Sequence, residues 1–429
     1  MAASPPRHAL FPAALLATLS ALLVIAAPAH AAGPAEVRPT LSVKPSLNTE
    51  EVGEGEAEFD EIEALKAKAA KEGDREQSKE DQIAVDQRIF NKTWNKVPFG
   101  SQAFDYTPEQ IKEMWPQLMD GLRVPYPSPE YLKTRFERFP VFRESYPDFD
   151  GDYEKYSRDV LNVWRLFFRG DFQQAMVEGE KYGVPSQIPG KVSQLIYAVY
   201  LEPNLEDKHQ LLQDVSNRVR EYGSSLDSMR KDKQFQGDYV IIRIGYAYAI
   251  GRIAEDVPIA TAITRNYVFK LLDAANDVLD LQPNNPLGLA FRAGIDANVV
   301  RKVGKATGRI TFGAKQTDVT NYFERALNTV PNMAIIRYEK ANAMLYMNKK
   351  REIEAAIAEL KKASTTKPRF SMEALDAMYA AKRMREVEAL AKWPGSFRSF
   401  ERKRLRHQKA SNQNLYCVLP KVCPPYIVE

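Results

Sequence analysis

Residues 271–283 read LLDAANDVLDLQP, residues 319–331 read VTNYFERALNTVP, and residues 356–368 read AIAELKKASTTKP. In each, three apolar residues stand at steps of four and three, and a proline follows five residues later. The sets are Leu271, Ala275, Val278 and Pro283; Val319, Phe323, Ala326 and Pro331; and Ala356, Leu360, Ala363 and Pro368. Such steps put the three side chains on one stripe of an α-helix. The proline then falls where the helix must already have ended, because it has no N–H to donate and its ring collides with the preceding turn. Each copy is therefore expected to be the second helix of a helical hairpin, within a repeated stretch from Asp238 to Pro368. An all-α fold follows.

The same pattern extends towards the N-terminus. Residues 159–182 read as a hairpin with Trp164, Leu166, Phe167, Phe172 and Ala175 on its apolar stripe and a tight turn at Gly170, Asp171 and Phe172. Helices are expected over residues 191–201 and 206–222, where Leu195, Ile196, Val199 and then Leu211, Leu212, Val215, Val219 keep helical spacing. Residues 183–190, with two prolines, read as the loop before them.

Hairpins with small residues at the helix crossing, a Gly-Asp-Phe turn and a terminal proline resemble tetratricopeptide repeats, over about residues 159–380. Ile244, Gly245 and Tyr248 look like a first-helix motif, Ala341 is the matching small residue of the last unit, and Gly170 to Ala175 looks like a turn motif. The terminal prolines lie 48 and 37 residues apart, against ~34 in a plain repeat. The larger surplus is expected to lengthen both arms of a hairpin by about two turns, and the smaller one to lengthen the turn at residues 348–351. The strings VVRKVGKATGRITFGAK, YFERALNTVP and YEKANAML resemble exported bacterial tetratricopeptide proteins of unestablished role. More distantly, the stretched units are similar to the repeat subunit that accompanies tripartite periplasmic solute transporters.

That resemblance implies an α-solenoid of stacked hairpins, some with lengthened helices, whose first helices line the inner curve. Carried over from Gly245, Ala293 and Ala341, it selects Tyr239, Tyr246, Asn298, Tyr338, Asn342 and Tyr346 as partner-binding residues. Tyrosine offers a broad, rigid contact with a polar tip, and asparagine both donates to and accepts from a peptide backbone.

The rest of the chain supplies context. Of 429 residues, 60 are Lys or Arg and 56 Asp or Glu, so the net charge of +4 gives no compositional case for nucleic-acid binding. Arg7 and His8 precede an apolar run over residues 10–27, and Ala29, His30 and Ala31 resemble a signal-peptidase site. Export to the periplasm with cleavage near Ala31 is expected; the alternative is an uncleaved anchor, since the run approaches the ~20 apolar residues that span a bilayer. Residues 32–89 form an acidic arm with a nascent helix over 58–71. Residues 90–158 are aromatic and proline-rich, with helix starts at Thr107-Pro108 and Ser128-Pro129, and are expected to cap the first hairpin. The repeat domain occupies residues 159–392 and a basic tail residues 393–429. The only cysteines, Cys417 and Cys423, are placed to close a small disulfide loop around Pro420, with free thiols as the alternative.

Signals for catalysis are weak. Beyond the export signal only His209 and His407 remain, so no histidine cluster can bind a metal or serve a triad. In PDFDGDYEKYSRD the carboxylates alternate as in a calcium loop, yet Tyr153 and Asp159 stand where glycine and glutamate are needed. An Asp-Gly turn leading into a helix from Tyr153 to Phe168 fits better. Gly304, Gly308 and Gly313 lack the frame of a phosphate loop and read as a flexible turn. Arg301, Lys302, Lys305, Arg309 and Lys315, and in the tail Arg398, Arg402, Lys403, Arg404, Arg406 and Lys409, read as solvated faces; the alternative is weak contact with an anionic membrane surface. The sequence thus leads to the expectation of a non-enzymatic periplasmic scaffold that binds a protein or peptide through its concave face and needs no cofactor. The alternative is a small-ligand-binding accessory subunit of a periplasmic solute transport system. An open groove favours the first and an apolar pocket with a few polar groups the second.

Overall fold

The three repeated stripes lie inside the protein, with all nine of their apolar residues buried. The computed structural model describes residue 64, residues 85–222 and residues 224–410. The export signal, most of the acidic arm, and Cys417 with Cys423 lie outside the described residues, which contain helices and connections but no strand.

The hairpins begin with α1 (Tyr153–Arg169) and α2 (Phe172–Gly179), and Gly170 between them takes the positive φ that a tight helix end favours. There follow α3 (Val184–Tyr200), α4 (Leu205–Glu221), a short helix Ser224–Lys231, and α5 (Gln236–Asp256). After a single turn at Ile259–Thr264 come α6 (Tyr267–Leu281), α7 (Pro286–Val303), α8 (Lys305–Phe312) and α9 (Gln316–Thr329). The last elements are α10 (Ala334–Asn348), α11 (Ile353–Ser364), α12 (Ser371–Ala391) and α13 (Phe397–Ala410). Helices α6, α9 and α11 carry the three stripes, and each ends before its terminal proline. Each packs against the long helices on either side of it in sequence, so each hairpin packs on the next.

Four local expectations change. Residues 183–190 are not a loop: α3 starts at Val184, with Pro185 in its first turn and Pro189 inside. Pro185 needs no donor there. Gly190 meets Gly179 so closely that a Cβ on Gly179 would lie 2.8 Å from the Ser186 carbonyl oxygen, and this backbone contact holds the proline-bearing turns helical. The longer surplus is taken up by an inserted helix, α8, more than by lengthened arms. Gly304 and Gly313 bracket α8 at positive φ, which only glycine adopts freely, in place of a flexible turn. The first part of the basic tail is the helix α13, where Arg404 bonds Glu401 at 2.8 Å and Arg383 reaches Glu401 at 3.2 Å.

The aromatic segment packs on α1, with Trp115 edge-on to Trp164 at 5.6 Å between ring centroids. Its helix Pro108–Leu118 starts with a capping box at Thr107 and Gln110. The connection after that helix goes further and crosses the starts of four others. Pro125 lies beside Gly237, the Arg123 guanidinium donates to the Asn284 carbonyl at 3.1 Å, Gly121 is pressed against Met333, and Asp120 pairs with Arg369 at 2.7 Å. A buried pair, Arg135 with Asp238 at 2.6 Å, fixes the same segment to α5. Helix α12 also returns to α1, where Ser371 Oγ donates to the Phe167 carbonyl at 2.8 Å and Phe370 packs on Phe167 and Phe168.

Candidate ligand-binding cavity

Helices α3, α5, α6, α7, α10 and α12, with the single turn at Ile259–Thr264, line a common, partly open cavity of about 190 Å³. Four of them are the first helices of their hairpins. Leu122, from the connection that crosses the helix starts, joins Leu287, Ile335 and Met372 from the first turns of α7, α10 and α12 in its wall. Most of the remaining wall is apolar, including Ile196, Ile244, Phe291 and Ile295.

Three wall positions are glycines in mid-helix: Gly245 and Gly251 on α5 and Gly294 on α7. A glycine there costs about 1 kcal/mol relative to alanine. Such a cost is commonly offset by a close helix contact, as at Gly179 and Gly190, but not at these three. A Cβ on Gly245 would come no nearer than 4.0 Å to Leu195, one on Gly251 no nearer than 3.6 Å to Leu271, and one on Gly294 would meet nothing within 4 Å. Gly294 thus faces open space, while an added Cβ at Gly245 or Gly251 would make no more than an ordinary van der Waals contact.

The polar part of the wall is small, with Asp376 buried and Arg252, Glu255 and Glu339 half-buried. Arg252 donates through Nη1 to both oxygens of Glu255, at 3.2 and 3.0 Å, and through Nη2 to Glu339 at 2.8 Å, with its guanidinium 4.9 Å from the Tyr248 ring centre. The Tyr200 hydroxyl donates to Asp376. Burial pushes the Asp376 carboxyl up to about 7, against the opposing hydrogen bond from Tyr200, and burial likewise raises Glu339 despite Arg252. Elsewhere on the wall Lys302 donates to the Val257 carbonyl at 2.9 Å. Asn298 spends its amide on the Gly294 carbonyl at 3.0 Å, while its side-chain oxygen is buried without a partner. A pocket of this kind can exclude water from an apolar body and orient it by one polar end.

Of the residues selected from the sequence, Asn298 alone lines this cavity. Tyr246 lines a smaller recess of about 40 Å³, which shares Val192, Leu195, Ile241 and Gly245 with the cavity wall, and stacks with Arg243 at 5.4 Å. Tyr346 stacks with Arg301 at 4.9 Å. The other three are interior and satisfied within the chain. Tyr239 donates to Asp277 at 2.6 Å, Asn342 accepts from Arg383 at 2.9 Å, and Tyr338 packs on Tyr379 at 4.9 Å. Sequence reasoning passed over Arg252, Glu339 and Asp376. Their signal is a charge set among buried neighbours, as where Arg252 follows the run from Ile241 to Ile250.

Among the described residues no three His, Cys, Asp or Glu side chains converge to hold a metal ion, and no helix is long and apolar enough to cross a membrane. Comparison of the chain with family models, curated proteins and solved structures finds no match.

Proposed function

We propose that this chain is an exported, tetratricopeptide-like helical-repeat protein that holds a small, largely apolar ligand in its interior cavity, as a binding accessory to periplasmic solute uptake and not as an enzyme. The observation that carries the reading is the cavity with its mid-helix glycines, of which Gly294 faces open space. Close packing is the rule in protein interiors, and helix glycines without a close neighbour are costly. Both costs are accounted for if the space is meant to be filled by something else. The small polar cluster on an otherwise apolar wall matches what a ligand pocket requires. A peptide scaffold would need its recognition residues free to meet a partner, whereas Tyr239, Tyr338 and Asn342 have their contacts inside the fold.

The test is binding of toluene, followed by calorimetry and by thermal shift. An apolar cavity of about 150 Å³ suffices for benzene, so one saturable site is expected here. Gly294→Leu should abolish it while the helical circular dichroism is kept. Absence of saturable binding to the wild-type chain, or undiminished binding to the variant, refutes the cavity as a ligand site.

A further inference from the structure

The polar end of the cavity has more acceptors than the chain supplies donors. Arg252 spends Nη1 on both oxygens of Glu255 and Nη2 on Glu339 Oε1. Among the described residues, Glu339 Oε2 and Asp376 Oδ2 accept no hydrogen bond, and both side chains line the cavity. Asp376 is only 3% exposed. Lys302, the other cation on the wall, is held by the Val257 carbonyl. Three carboxyl groups on the wall therefore have one wall guanidinium among them, with Arg301 of α7 also acting on Glu339, and Glu339 and Asp376 each keep one oxygen that accepts no hydrogen bond.

We infer that the ligand is a primary amine on a short apolar chain, its ammonium group seated between Asp376 and Glu339 and its chain along the apolar wall. This rests on the cavity being a ligand site. An ammonium group brings three donors and the missing positive charge, whereas a hydroxyl brings one donor and no charge. A carboxylate ligand would add a fourth acid beside the three already there, and like charges in a buried site oppose one another. With space of about 190 Å³, the site suits one short chain and not a two-chain lipid.

The ionisation of Asp376 is consistent with a site waiting for a cation. The groups that act on it are Tyr200 on α3, Tyr248 and Arg252 on α5, Glu339 on α10 and Glu373 on its own helix. Burial dominates, and the nearby acids reinforce it. An ammonium arriving between the carboxylates stabilises the ionised form, so binding releases a proton where Asp376 is still protonated. Affinity for the amine then rises with pH from 6 to 8, while the amine itself stays charged throughout.

The experiment compares hexylamine, hexanol and hexanoate by calorimetry on the full chain, with toluene as the probe of the cavity itself. At pH 8 hexylamine is expected to bind at least tenfold more tightly than hexanol, with hexanoate weakest. Its advantage should shrink at pH 6. Asp376→Asn should remove the advantage while toluene still binds, and Glu339→Gln gives the same comparison if the first variant does not fold. Toluene binding with no preference for hexylamine, or a preference that survives both substitutions, overturns the amine assignment and leaves the cavity reading standing. Failure of toluene and all three hexyl ligands to bind overturns both.

Discussion

Replacing Gly294 should make the protein more stable and its cavity less useful, a combination that core mutations seldom give. Gly294 lies near the middle of α7, and a Cβ there would meet nothing within 4 Å. Alanine gains about 1 kcal/mol in helix propensity, and a methyl group filling vacant apolar space adds up to about 0.8 kcal/mol. The half-buried setting reduces that second gain. We therefore expect Gly294→Ala to raise unfolding free energy by about 1 to 1.5 kcal/mol. Leucine keeps most of the propensity gain and buries more area, so Gly294→Leu should reach about 2 kcal/mol, unless its branch is forced off a staggered rotamer. Urea unfolding followed by circular dichroism reads the first effect as a higher midpoint at unchanged slope. Toluene calorimetry reads the second as weakened binding in the alanine variant and lost binding in the leucine variant. Most substitutions destabilise by 0.5–3 kcal/mol. A Gly294→Ala variant that is less stable than the parent would refute the argument, because it would mean that the glycine serves a backbone contact.

Four further outcomes follow from the packing and the charges. Phe323→Ala removes a side chain that is 1% exposed and should cost about 3 to 5 kcal/mol; a negligible change in urea midpoint would refute the shared stripe. Asp376 has its proton held more tightly in the folded chain than unfolded, so wild-type stability should fall as pH rises from about 4 to the folded value of about 7 and level off above it. Asp376→Asn lacks that loss and should be the more stable protein at pH 8, by on the order of 1 to 4 kcal/mol; parallel stability curves for the two would contradict the assignment. Arg369→Ala leaves Glu373 and Asp120 without their partner and should cost about 2 kcal/mol, with faster amide exchange at the start of α12 than elsewhere; uniform exchange would show that the contact does not join the two ends. Mass spectrometry of protein from its native host should find a chain beginning near Ala32, and full-length chains confined to the membrane fraction would refute cleavage.

The features legible in the sequence were those with a local cause. The period of Leu271, Ala275 and Val278, the capping box at Thr107 and the turn at Gly170 each follow from backbone geometry within one or two turns of helix. What escaped depended on contacts distant in sequence. Pro189 reads as a breaker until Gly179 is known to lie against Gly190. The candidate site divides in the same way. Choosing first helices led to α5, α7 and α10, which do line the cavity, yet Tyr239 and Asn342 on those helices turn to Asp277 and Arg383. The side a residue faces is set by neighbouring helices, and the inserted α8 and the crossing N-terminal connection were not foreseen.

The clasp of Arg369 on Asp120 bears on how such a protein can change over evolutionary time. An open stack of hairpins tolerates unequal crossing-over, because a gained or lost unit leaves two free ends as before. Here a whole extra unit would carry Arg369, Ser371 and Phe370 away from Asp120 and Phe167. Selection that keeps these contacts would favour length changes that leave them in place, such as a helix inserted where α8 lies, over gain or loss of a whole hairpin.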